Sequence, residues 1–222
     1  MIHKLETLVR SEGADVFGTA HVAGCLPNRF AAMPFAVTIG IRLLNAVMDE
    51  VAEGPTKLYF HHYRSANAFL DMCALKCALL LERSGYQAVA VPASQTTSTS
   101  GIAGDFPHKT AANLAGLGFI GKNGLFVSKD FGPRVRLATV LTDCPLPDAQ
   151  MMAPQCGDCR ACVDACPCGA LTGQSWTRQS SRDDIVDAAL CSRFMKDKYS
   201  MIGRGSVCGI CAAVCPWGGK SV

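Results

Sequence analysis

Hydrophobic and polar residues alternate along the chain with two periods, one near 3.6 and one near 2. Residues 2–12 form an amphipathic stretch that predicts a helix ended by Gly13. Ala14–Val22 (ADVFGTAHV) reads as a strand. Pro34–Leu44 is a longer apolar run, β-branched in part. It predicts a buried strand passing into a helix over Asn45–Glu53, which Gly54-Pro55 stops. The longest periodic stretch is Tyr59–Ser84, closed by Gly85. Its apolar positions Phe69, Met72, Cys73, Leu75, Leu79 and Leu80 recur near helical spacing, so one face is expected in a core.

The second half shortens its elements. Tyr86–Pro92 (YQAVAVP) reads as a strand, and Ser94–Ser100 as a polar loop. A helix is expected over His108–Ala115, after Pro107, followed by the glycine-rich GLGFIGKNG from Gly116 to Gly124. Leu125–Ser128 and Arg134–Thr142 read as two strands around a turn at Asp130–Pro133, which predicts a hairpin. Pro145, Pro147 and Pro154 mark a linker, which places a domain boundary near 145–155 and divides the chain into 1–147 and 148–222. Beyond it, Arg182–Lys198 reads as a helix. Helical and strand periods mixed in this way predict an α+β protein.

Composition changes the picture in one respect, the 13 cysteines. The start MIHKLETLV lacks the form of a secretory signal, so the expectation is a reducing, cytoplasmic setting with metal sites rather than disulfides. The apolar run Phe30–Leu44 is broken by Pro34 and Arg42 and is too short for a bilayer, so no membrane partner is expected. Cys156-Gly-Asp-Cys159-Arg-Ala-Cys162-Val-Asp-Ala-Cys166-Pro167 has the spacing of bacterial ferredoxins. Three thiolates on short loops close on one 4Fe–4S cubane, and the fourth reaches a second. Cys208-Gly-Ile-Cys211-Ala-Ala-Val-Cys215-Pro216 repeats the latter half, with Cys191 upstream. By this logic Cys156, Cys159, Cys162 and Cys215 hold one cluster, and Cys191, Cys208, Cys211 and Cys166 the other. Paired CxxC motifs also serve structural zinc, but zinc needs neither the three-cysteine run nor the proline after the last cysteine. Cys168 is a spare or an oxidation-sensitive thiol. Cys25 and Cys144 have no partner at ligand spacing, and Cys73 and Cys77 read as small apolar packing residues.

Net charge is +3, and from Pro154 to Val222 eight Lys and Arg stand against six Asp and Glu. Neither figure marks a nucleic-acid binder. The stretch GLGFIGKNG is not a P-loop, because Asn123 stands where Ser or Thr must follow Lys122, and no strand introduces it as in a dinucleotide fingerprint. It is either a tight turn with Lys122 in solvent or a place where glycines let backbone approach a flat or phosphate-bearing cofactor, with Lys122 and Asn123 as contacts. Two polar groups, His61-His62-Tyr63-Arg64 and Asp105 with His108-Lys109, are candidates for proton exchange.

Taken together, GLGFIGKNG, the strand RVRLATVLTD, the two cysteine sets and the final Cys215-Pro216-Trp217 resemble the epoxyqueuosine reductase family and, more distantly, the respiratory reductive dehalogenases. The resemblance runs in order from about Tyr59 to Trp217. It implies a nitroreductase-like mixed sheet with helices that binds cobalamin, followed by a ferredoxin-like module carrying two 4Fe–4S clusters. Electrons would come from a ferredoxin or flavodoxin, pass the clusters and reach cobalt. Gly116, Gly118, Gly121, Lys122 and Asn123 would contact the cobalamin, and Tyr63, Asp105, His108 and Lys109 would supply protons. The chain departs from the pattern at Gly104-Asp-Phe-Pro-His-Lys109, where the family shows Asp-x-x-Pro followed by Glu-Arg. It also ends six residues after Pro216, without the helical repeats that help longer members hold tRNA. The substrate is therefore expected to be a small molecule or modified nucleoside rather than tRNA. The other reading is an electron-transfer or corrinoid-activating protein with no turnover of its own.

Overall fold

The computed structural model describes residues 1–97, 102–203 and 207–219; part of the polar loop expected at Ser94–Ser100 lies outside them. The chain forms two compact units, each assembled from separated stretches. The first comprises Met1–Arg42, Ser65–Gly118 and Arg136–Met152, and the second Leu43–Arg64, Phe119–Val135 and Ala153–Val222.

The first unit is built on a four-stranded sheet of β1 (Val16–His21), β2 (Phe35–Arg42), β3 (Ala88–Val91) and β6 (Val135–Thr142), in the order β1-β2-β6-β3. β1 and β2 pair antiparallel with Val16 opposite Gly40 and His21 opposite Phe35. β3 and β6 also pair antiparallel, Ala88 opposite Thr142. Both faces are covered, which is why β2 and β6 read as nearly continuous apolar runs rather than alternating ones. Val37, Ile39, Ala138 and Val140 point to one face, against Leu5 and Val9 of α1 (Ile2–Ser11) and the long helix α3 (Lys57–Arg83). Ala20, Ala36, Val91 and Leu141 point to the other, against Ala111 of α4 (His108–Leu114) with Phe30, Met33 and Phe106.

The buried stripe of α3 is Leu70, Cys73, Ala74, Cys77, Ala78 and Leu81. It is rotated from the expected one, since Met72, Leu75 and Leu79 are 56%, 45% and 39% exposed. The two alanines and two cysteines give the sheet a narrow surface to approach, and the bulkier leucines turn outward. Cys73 and Cys77 are indeed packing residues.

Within the second unit, β4 (Gly118–Ile120) and β5 (Phe126–Ser128) form a two-stranded sheet around Gly121–Leu125. The hairpin expected between Leu125–Ser128 and Arg134–Thr142 does not form. Ser128 instead bridges Gly132 within the expected turn, and β6 pairs with β3. The glycine-rich stretch thus contains a strand that its composition concealed. The remaining helices are α2 (Asn45–Asp49), α5 (Ala161–Asp164), α6 (Ala188–Tyr199) and α7 (Ile210–Ala213). Helix α6 starts later than expected because Val186 is held in a bridge to Leu171, and Asp187 then caps the helix by accepting the Leu190 N–H at 2.8 Å. Among the described residues, no helix is long and apolar enough to cross a membrane.

Candidate functional site

The site begins with how short loops carry thiols. The Cys159 N–H donates to the Cys156 carbonyl at 3.0 Å, closing the first CxxC into a turn, and α5 lifts Cys162 from its end. The second CxxC runs from Cys208 through Gly209 into α7, which carries Cys211; Cys215 follows after its last turn. Gly209 sits at φ +93°, and a Cβ there would stand 2.9 Å from the ring of Tyr59 and 3.0 Å from Val51.

Cys156, Cys159, Cys162 and Cys215 line one cavity, so the last cysteine of the chain joins the first three. The same cavity is lined by Gly121, Lys122, Asn123, Val127, Pro216 and Trp217. Burial pushes the Cys162 thiol up to about 11, helped by Cys215, Cys156 and Cys159 around it. The second set shows itself in the same way. Cys191, on α6, is raised to about 11 by burial and then by Cys168, Cys208 and Cys166. Cys211 is raised by burial, then by Cys208, Cys191, Cys162 and Cys166. Cys156, Cys159, Cys162 and Cys215 share the cavity, while Cys166, Cys168, Cys191, Cys208 and Cys211 influence one another electrostatically, and Cys162 acts on Cys211. Among the described residues, no three His, Cys, Asp or Glu side chains converge as a mononuclear metal site does. Four thiols spread around a cavity suit a cubane, which is bound at its corners. The residues therefore fit two 4Fe–4S clusters.

Lys122 is neither in solvent nor free for a phosphate. It is 8% exposed, and its Nζ donates to the carbonyls of Gly157 at 2.7 Å and Cys159 at 3.2 Å. Asn123 donates from Nδ2 to the Cys211 carbonyl at 3.3 Å, while its Oδ1 accepts the Leu125 N–H at 3.0 Å. Adjacent residues of one turn thus hold the loops of both cysteine sets. At Gly121 a Cβ would meet Asn123 Oδ1 at 2.8 Å, and at Gly116 the Gln150 carbonyl at 2.7 Å. Gly118 gives its carbonyl to Asn113 Nδ2 at 2.9 Å. These glycines are occupied by the chain's own packing. Lys122 and Asn123 are thus engaged by the cysteine loops.

Arg134, which the sequence reading passed over, anchors the second unit. It is 6% exposed; Nη1 donates to Asp49 Oδ1 at 2.6 Å and Asn45 Oδ1 at 3.2 Å, and Nη2 to the Ala213 carbonyl at 3.2 Å. Phe119 and Trp217 pack edge-on with ring centroids 5.2 Å apart. An arginine just before the strand Val135–Thr142, and the tryptophan after Cys-Pro, were the available signals.

The nominated proton donors fall in different places. Tyr63 belongs to the second unit, its ring 6.3 Å from that of Tyr59. Asp105 and His108 line a cavity of the first unit with Val91–Thr97 and Gly104. Asp105 pairs with Arg29, and a hydrogen bond from Thr97 together with that guanidinium holds its carboxyl below the usual range. His108 engages both ring nitrogens, Nδ1 with Thr139 Oγ1 at 2.9 Å and Nε2 with the Pro92 carbonyl at 3.0 Å. Since that carbonyl only accepts, Nε2 carries the proton and Nδ1 accepts from the hydroxyl. Burial drives His108 down to about 4. Lys109 is half-buried beside it in sequence. Because the folded pKa lies below the unfolded 6.5, the unfolded chain binds the extra proton between those values. Stability is full above pH 6.5 and falls by about 3 kcal/mol as pH drops toward 4. Thermal melts at pH 7.5 and 5 should show a smaller difference for His108→Gln than for the wild type.

Comparison with known proteins bears on the same residues. Residues 155–218 match the family of 4Fe-4S double cluster binding domains. An epoxyqueuosine reductase from Vibrio cholerae is 34% identical over 120 residues, covering 50% of this chain and 30% of its own length. A tetrachloroethene reductive dehalogenase from Desulfitobacterium hafniense is 33% identical over 229 residues, covering 96% of this chain and 38% of its own. This chain thus spans about a third of the length of these relatives. The structure of a reductive dehalogenase, described in terms of B12-dependent dehalogenation, superposes with a TM-score of 0.75 at 22% identity, covering 97% of this chain and 31% of that one. It bears out the α+β fold class. The double-cluster match and these likenesses together support an iron–sulfur redox role.

Proposed function

We propose that this protein is an iron–sulfur reductase in which two 4Fe–4S clusters relay single electrons from a ferredoxin or flavodoxin to a cobalamin that reduces a small molecule or modified nucleoside. The observation that carries the relay is the crossed sorting of the thiols, with Cys156, Cys159, Cys162 and Cys215 around one cavity. Cys166, Cys191, Cys208 and Cys211 are the ligands of the second cluster. The two sets adjoin at Cys162 and Cys211, which suits electron passage between them. Cobalamin as acceptor is supported by the likeness of fold to the reductive dehalogenase structure described in terms of B12-dependent dehalogenation, which covers 97% of this chain. Tyr63, Asp105, His108 and Lys109 are the candidate proton donors of this reading; His108 has both ring nitrogens engaged and Asp105 pairs with Arg29.

A second reading, an electron-transfer or corrinoid-activating protein, is favoured by the commitment of Lys122 and Asn123 to the cluster loops. One experiment separates the two. Anaerobically purified protein is incubated with hydroxocobalamin, and its iron, cobalt and ultraviolet–visible spectrum are measured. The reductase reading expects about eight irons per chain and bound corrinoid whose spectrum changes on reduction. Cluster-replete protein that retains no cobalt overturns that reading in favour of the second. In either case Cys159→Ala should fall to about four irons, and unchanged iron content would refute the ligand set.

A further inference from the structure

Residues Cys166-Pro167-Cys168-Gly169 form a tight turn, closed by the Gly169 N–H donating to the Cys166 carbonyl at 3.2 Å. Proline in the second position presets φ, and glycine in the fourth completes a favourable turn sequence. The turn brings the thiols of Cys166 and Cys168 to the same side, with their sulfurs 3.9 Å apart. Cys168 is half-buried, with Cys208 near it as well as Cys166. Cys191 faces it too. Cys168 thus lies beside Cys166 among the thiols assigned to the second cluster, one more than the four that a cubane uses.

We propose that Cys168 is a resident substitute ligand for the second cluster, able to take the iron that Cys166 holds; this rests on the double-cluster reading above. In the exchange one iron–sulfur bond breaks at Cys166 and one forms at Cys168. The Cys168 thiol gives its proton to the departing Cys166 thiolate, so cluster oxidation state and total charge do not change. The turn makes this a local event, because both sulfurs hang from one four-residue loop and no helix has to move. A cluster site with such a spare keeps its cubane when Cys166 is oxidised or lost.

The test counts irons and reads electron paramagnetic resonance after anaerobic reconstitution of full-length variants. Cys166→Ala should retain about eight irons per chain, with a reduced-state signal altered for one cluster. Cys168→Ala should retain about eight with the wild-type signal, and the double variant Cys166→Ala/Cys168→Ala should fall to about four. The first cluster, kept in all three, reports that the chain has folded. Cys166→Ala with about four irons, or with about seven as a three-iron centre, overturns the proposal. Failure of the wild type to exceed about four irons instead removes the double-cluster reading and this proposal with it. The two failures are thereby distinguishable.

Discussion

Lys122→Met is expected to lower the reduction potential of the first cluster by on the order of 100 mV and to make that cluster easier to lose. The ammonium lies at the cavity of Cys156, Cys159, Cys162 and Cys215, and it is the donor to two carbonyls of the loop that carries them. A reduced cluster bears more negative charge than an oxidised one, so a nearby cation favours reduction. At an intermediate effective dielectric, a unit charge at close range contributes about 1–4 kcal/mol. For a one-electron couple about 1.4 kcal/mol corresponds to 59 mV, which sets the expected scale. The structural part is separate. Hydrogen bonds to charged groups contribute about 1.5–3 kcal/mol each, and both of these are lost with the ammonium. An electron paramagnetic resonance redox titration, with iron counted over time under chelator, reads both parts. A variant with wild-type potential and wild-type iron retention would show that Lys122 has no influence on the cluster.

Gly209→Ala is expected to remove the second cluster while sparing the first. The residue stands between Cys208 and Cys211 at φ +93°, where an L side chain costs about 1–2 kcal/mol. The added methyl would also meet the buried ring of Tyr59 at 2.9 Å and Val51 at 3.0 Å. Overpacking of this kind costs typically about 1–3 kcal/mol. Both penalties fall on the loop that must bring two thiols to one cubane, so the loop moves rather than the core. Iron should drop from about eight to about four per chain, and the remaining signal should match that of the wild-type first cluster. Full iron content in this variant would mean that the loop tolerates αL alanine and that Tyr59 yields.

The double-cluster module was legible in the sequence because covalent spacing alone decides which thiols can share a loop. Cys156, Cys159 and Cys162 need no knowledge of the rest of the fold. The α1, β1, β2 and β3 segments were legible for a related reason, their apolar periods being set by burial against the sheet. Legibility failed where a residue's partner is remote. Lys122 looks like a surface lysine in a glycine loop, yet its acceptors are 35 and 37 residues away. Arg134 is committed to groups at 45, 49 and 213, distances no local pattern encodes. The missed strand pairing has the same origin. Leu125–Ser128 and Arg134–Thr142 have strand composition and a turn between them, but β3 competes for β6 across a gap of about fifty residues and wins. The rotated face of α3 shows a further limit. Periodicity locates a stripe, but Ala74 and Ala78 are too small to weigh in it until the sheet's demand for close approach is seen.

The interleaving of the two compact units bears on how this module can be inherited. A stretch of 75 residues bearing all eight thiols proposed as ligands looks like a cassette that recombination could lift from one gene to another. Lys122, Asn123 and Arg134, however, lie upstream of any cut at 147/148, and their acceptors at Gly157, Cys159, Cys211 and Ala213 lie downstream. Transplanting residues 148–222 alone would carry the ligands and leave their braces behind. The cysteine motifs and the GKN turn are thus expected to travel through a lineage together, as one heritable unit split across the chain.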